Sequence, residues 1–151
     1  MATPFSTIYD EFLVSVRDYK LDKLYNLSPT NFNEYLQLFL IKAIPIFTNF
    51  VKNIRNIDTI IFQFNYTLYL DEQIILSNLM VIEWLTREIN DVTQFNLHLN
   101  DTDFKRYAEA NNLKEKNNHR DSLREIVNQD LVLYGLKHTN WQSWASGNYW
   151  G

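Results

Sequence analysis

Apolar residues recur at helical spacing along most of the chain, and the period changes clearly only once. Ile8, Phe12, Leu13 and Val16 fall at i, i+4, i+5 and i+8, one face of a first helix for which Ser6 or Thr7 is the expected cap. Tyr19 to Tyr25 is a short stretch with alternating apolar residues, read as a link able to pair as a small strand. Ser28-Pro29 marks a helix start, with Ser as cap and Pro where its missing donor costs nothing. Phe32, Tyr35, Leu36, Phe39, Leu40, Ala43, Ile46 and Phe47 then share a face, which Phe50 and Ile54 extend, so Pro45 is expected to kink this helix rather than stop it.

Between residues 57 and 70 the period drops to two. Phe62, Phe64, Tyr66, Leu68 and Leu70 alternate with Gln63, Asn65, Thr67 and Tyr69, which predicts an extended or strand segment. No partner strand is evident, so it is expected to pair with Tyr19–Tyr25 or with another subunit. Asp71-Glu72 opens the strongest helix, in which Ile75, Leu76, Leu79, Met80, Ile82, Trp84, Leu85 and Ile89 cover more than half the circumference. That helix should weaken at Asn90-Asp91, and Asp101 should cap the next. In the last helix Phe104, Tyr107, Ala108, Leu113, Leu123, Ile126, Val127, Leu131 and Tyr134 keep helical spacing. Its polar middle, Lys114 to Asp121, predicts either a protruding helix or a break near Asn111-Asn112, and Gly135 is the expected stop.

These elements predict a mainly α fold. A bundle of about four helices over residues 1–137 carries a short extended segment and ends in an irregular aromatic tail, 138–151. The expected core holds Phe39, Leu40, Ala43, Leu76, Leu79, Met80, Trp84 and Phe104. Composition agrees: among 151 residues, 46% are hydrophobic and only three are Gly and three Pro, too few for the turns of an all-β sandwich. The tail nevertheless holds three of the four Trp. Such rings either fold back to complete the chain's own core or anchor in a partner; Trp and Tyr dominate interface hot spots, so Trp141, Trp144, Tyr149 and Trp150 are candidate anchors, joined by Phe62, Phe64 and Tyr66 of the strand.

Net charge is −4, unevenly spread: residues 57–103 carry −7, flanked by segments of +1 and +2. An acidic middle repels phosphate backbones and argues against a broad nucleic-acid face, and its first reading is a solvated helix face that carries acids for solubility. Lys105, Arg106, Lys114, Lys116, Arg120 and Arg124 are interleaved with Glu109, Glu115, Asp121 and Glu125, which reads as a solvated face of mixed charge. The most apolar long stretch, Tyr35 to Val51, contains Gln37, Lys42, Pro45 and Asn49, so no membrane span is expected. The first residues hold no basic region followed by an apolar run, and a protein used without export is expected.

Candidate chemistry is sparse. Without Cys, thiol catalysis and cysteine-ligated metals are excluded. His98, His119 and His138 lie far apart, and Gly135, Gly147 and Gly151 form no phosphate loop. Asp101-x-Asp103 lacks the glycine and closing glutamate of a calcium loop. Glu83, beside Trp84, is a conceivable acid but has no second catalytic partner, so a structural hydrogen bond is the preferred reading. No enzyme, cofactor or metal is expected.

The helical patterns also carry a resemblance. Phe32-x-x-Tyr35-Leu36-x-x-Phe39-Leu40-x-x-Ala43-Ile44, Phe64-x-x-x-Leu68 and Glu72-Gln73-x-Ile75-Leu76-x-x-Leu79-Met80-x-x-Glu83-Trp84-Leu85 resemble tailed-bacteriophage head–tail connector (neck or adaptor) proteins. Asp103-Phe104-Lys105-x-Tyr107-x-x-x-Asn111-x-Leu113-Lys114 and Arg120 extend the likeness, which spans about residues 8–134. The resemblance implies a virion structural protein of the neck, assembled in the host cytoplasm. It implies a twelve-fold ring of this chain between the portal protein and the tail or a second neck protein, with transient DNA contact in its lumen. The Trp-rich end has no counterpart in that pattern. Two alternatives remain open from the residues: a small helical regulator binding a host protein through its tail, and a helical nucleic-acid binder.

Overall fold

The computed structural model describes residues 1–48, 54–98 and 103–147, leaving aside the side chains of 48, 92, 94–98 and 103–109. Phe50, Asp101, Tyr149, Trp150 and the Phe104 and Tyr107 side chains therefore lie outside the described residues. The chain is mainly helical, as the pattern predicts. Its elements run β1 (Thr3–Pro4), α1 (Phe5–Ser15), α2 (Tyr19–Leu27), α3 (Pro29–Thr48), β2 (Ile57–Asp58), β3 (Gln63–Phe64), α4 (Leu70–His98), α5 (Asp103–His138) and α6 (Trp141–Ala145).

α4 lies at the centre, packed against α1, α3 and α5. Its breadth of apolar surface requires this, since three neighbours are needed to cover it. Tyr134 of α5 meets Glu72 near the start of α4 while Lys116 meets Glu88 further along, so α4 and α5 run antiparallel. One core cluster joins Phe12, Leu36, Leu40, Phe47, Leu76, Met80 and Leu131. All the expected core residues with described side chains are buried there. Phe12 meets Trp84 edge-on at 6.4 Å between ring centroids, tying α1 to α4.

α3 begins at Pro29, where the Ser28 hydroxyl accepts from the Asn31 amide (3.3 Å), and continues past Pro45 to Thr48. Ile54 is fully buried but sits in a turn rather than on the helix, while Ile46 is exposed although the stripe placed it inward. α1 starts one residue before the expected caps. Pro4 is extended, and the Phe5 amide donates to the Phe62 carbonyl (2.9 Å), so the hairpin takes the place of a side-chain cap.

Three expectations are corrected. First, Tyr19–Leu27 is a helix, because the Asp18 carboxylate accepts from the Lys20 amide (2.6 Å) and caps it. Second, residues 57–70 form two short strands, Ile57–Asp58 and Gln63–Phe64, instead of one long one, and the partners come from the chain itself. β3 pairs antiparallel with both β1 and β2, in the order β1-β3-β2. Beyond the strand, the Leu68 amide donates to the buried Thr3 hydroxyl (2.9 Å). Third, α5 runs unbroken through Asn111-Asn112, so of the two alternatives the break fails, and Gly135 does not stop it. The polar middle of α5 is laced along its own turns: Asn117 donates to the Leu113 carbonyl, Arg120 to Asn117, and Arg124 pairs with Asp121. Past Gly135, Lys137 bridges Asp71 (3.3 Å) and His138 packs on Tyr134, which carries α5 to His138.

Candidate interaction surface

The tail is not irregular where it is described. Asn140 caps α6 by accepting from the Ser143 amide (3.1 Å), and the Gly147 amide closes the helix on the Trp144 carbonyl (3.1 Å). Gly147 has φ +79°, the left-handed geometry that ends helices and that favours glycine. The Trp141 indole N–H donates to the Leu136 carbonyl (3.1 Å), folding α6 against the end of α5. Trp141 and Trp144 meet edge-on at 6.1 Å, yet they remain 51% and 59% exposed. They do not complete the chain's own core. Leu136, which takes the Trp141 bond, is also exposed, as are Val132 and Leu133 one turn earlier on α5.

A second exposed set was only partly foreseen. The β2–β3 hairpin tip presents Ile60, Ile61 and Phe62 at 85%, 59% and 48% exposure. The tip is held rather than loose: the Asp58 carboxylate accepts from the Ile60 and Ile61 amides at 2.8 and 3.1 Å. Phe62 adopts φ 55°, a conformation uncommon for a bulky residue. Beneath the tip, Phe5, Tyr9, Glu34, Gln37, Ile61 and Phe62 help to line a cleft of about 400 Å³. A wider groove of about 730 Å³ runs between α3 and α4, past Leu38, Ile41, Lys42, Glu83 and Arg87. Arg87 there lies over the Tyr35 ring at 5.0 Å.

Of the other strand residues taken as interface candidates, Phe64 is fully buried against Phe5 (5.1 Å) and belongs to the core. Tyr66 is half-buried beside Phe64. Trp141 and Trp144 are not brought to the hairpin. The α5 end packs on Phe47 (Phe47–Tyr134 5.0 Å), whereas the cleft borders Glu34 and Gln37. At 1.5 Å per residue, these points stand roughly 15–20 Å apart along α3.

Two buried carboxylates escaped the sequence reading. Glu72 accepts from the Tyr134 hydroxyl (2.7 Å) and from the Tyr69 amide (2.8 Å), the second contact being half of a capping box at the start of α4. Glu88 receives Lys20 of α2 (3.3 Å) and Lys116 of α5 (3.6 Å). The Lys20 ammonium is opposed by burial but held above its ordinary range by Glu88, Asp18 and Asp91. Glu83 is only half-buried, on the groove wall. Only the acidic first turn at Asp71-Glu72 hinted at Glu72, and nothing in the sequence singled out Glu88.

Among the described residues no three His, Asp or Glu side chains gather in a way that could hold a metal ion, and no helix is long and apolar enough to cross a membrane. No protein-family model matches the chain, and neither a curated protein nor a solved structure matches it.

Proposed function

We propose that this chain is a ring-forming structural subunit, the head–tail connector of a tailed-bacteriophage virion. The observation that carries this reading is a helical body with two exposed apolar sets at separate places, the α5–α6 corner and the hairpin tip. Subunits that close head-to-tail into a cycle need two different faces of this kind. The sequence resemblance adds the setting: a twelve-fold ring below the portal protein and above the tail or a second neck protein. The net charge of −7 on residues 57–103 suits a lumen through which DNA slides without adhering. In this role the protein performs no reaction and needs no cofactor.

The exposed Trp pair also suits a monomeric regulator that docks on a host protein, and one measurement separates the two. Light scattering on a sizing column, with negative-stain images of the same fractions, should show closed rings of about twelve copies. A particle of one chain mass at every concentration would overturn the connector reading.

A further inference from the structure

We propose that Glu88 is an ionic latch: it holds α2 against the body through Lys20, and Lys116 keeps its charge matched when α2 swings away. The device is built into the single chain, whatever that chain assembles into.

Glu88 lies on α4 with a side chain only 6% exposed, and it meets two ammonium groups from different elements, Lys20 of α2 at 3.3 Å and Lys116 of α5 at 3.6 Å. One carboxylate needs one cation. Arg87, one residue earlier, is already engaged: it faces Asp91 at 3.9 Å and lies over the Tyr35 ring. The two lysines are unequal, Lys20 being 73% exposed and Lys116 25%. Lys20 is largely solvated where it stands and loses little on leaving, whereas a buried carboxylate left with no cation is strongly destabilising. Lys116 supplies what Glu88 needs, so the release of Lys20 strands no buried charge.

The element that carries Lys20 is able to move. α2 packs mainly on α3 and buries only Leu21. The backbone is extended at both of its ends, at Val16 and Asp18 before it and at Ser28 after it. A helix of nine residues has little stability of its own, so α2 opens against weak resistance while the bundle stays closed. Opening uncovers apolar surface: Leu21 itself, and Phe32, whose buried ring meets Tyr25 edge-on at 5.3 Å.

Two like charges that share one acceptor also weaken each other's hold on it. The latch therefore has a signature that two independent ion pairs lack: removing Lys116 fastens α2 more tightly.

Hydrogen exchange followed along the whole chain tests this, with each lysine variant expected to melt within a few degrees of the parent. Lys20→Met should speed amide exchange in Tyr19–Leu27 by roughly 2–5-fold, and added sodium chloride should speed it in the parent but not in that variant. Lys116→Met should do the reverse, slowing the same amides by roughly 2–5-fold, because opening would then leave Glu88 with no cation. Combined with Glu88→Gln, Lys116→Met should no longer slow α2. If Lys116→Met leaves exchange in α2 unchanged or faster while the α4 core keeps its protection, the two lysines act independently and the latch is wrong. If either lysine variant unfolds the bundle, one cation does not suffice for Glu88, and the latch is equally wrong.

Discussion

Leu79 lies on the buried side of α4, where that helix meets its neighbours. Leu79→Ala should lower unfolding free energy by about 2–5 kcal/mol in a denaturant titration. A loss under about 0.5 kcal/mol, the range of surface sites, would place α4 at the periphery. Three phenols give the molecule a second, pH-dependent signature. Burial holds Tyr9, Tyr66 and Tyr134 well above the ordinary phenol range; the charge of Glu72 adds to this at Tyr66, and its hydrogen bond and charge do so at Tyr134. In the unfolded chain these groups lose their protons near pH 10, before the folded ones do. Their contribution is therefore complete below pH 10 and declines as pH rises beyond it, by up to about 1.4 kcal/mol per pH unit for each phenol. The melting temperature should fall from about pH 10 upward, and Tyr9→Phe should flatten that fall. A melting temperature independent of alkali would show that the phenols ionise freely in the folded state.

Among the elements, α2 is only lightly embedded, with Leu21 as its one buried side chain. The Lys20–Glu88 pair ties it to α4. In Glu88→Gln, amide exchange within α2 should speed up by roughly 2–5-fold, corresponding to about 0.5–1 kcal/mol of local opening, while the centre of α4 keeps its protection. Uniform acceleration across the bundle would mean that Glu88 supports the whole fold instead. α2 also shows why some of the architecture could be read from the sequence and some could not. α4 was legible because its apolar residues repeat over many turns, a signal no strand can imitate. α2 offers little more than two turns, and the Asp18 cap decided against the strand that its alternation imitated. The alternation at Phe62–Leu70 yields only two strand residues, because its partners, Thr3–Pro4 and Ile57–Asp58, are themselves two residues long. Gly135 was read as a stop because its neighbours looked expendable, whereas Lys137 and His138 have partners on α4 and α5. At the candidate surface the Trp residues were legible from composition alone. The cleft was not, because Phe5, Glu34 and Ile61 come together only after folding. Glu72 and Glu88 were missed for the same reason: Tyr134 and Lys116 lie on a later helix.

For the whole molecule, the position of the tail separates stability from assembly. Trp141 and Trp144 are mostly exposed, and the end of α5 is secured by Tyr134 and Lys137 within the helix. A chain ending at His138 should therefore unfold cooperatively with a loss of no more than about 1 kcal/mol, the worth of the hydrogen bonds from Trp141 and Thr139. It should no longer self-associate. A large fall in melting temperature with assembly preserved would instead make the tail part of the core.

The contact between Phe12 and Trp84 carries a further consequence, for synthesis rather than for the finished structure. α1 packs on α4, yet Trp84 follows Phe12 by 72 residues. At about 5–20 residues per second, roughly 4–14 s pass before the platform for Phe5, Ile8 and Phe12 leaves the ribosome. During that interval the nascent chain displays an apolar helix face with nothing to cover it. A fragment of residues 1–68, which lacks α4, should bind a hydrophobic dye that the full chain ignores. Failure to bind would show that α1 finds a temporary partner on α3. The first helix to be made is thus among the last to be buried, and a chaperone has those seconds in which to hold it.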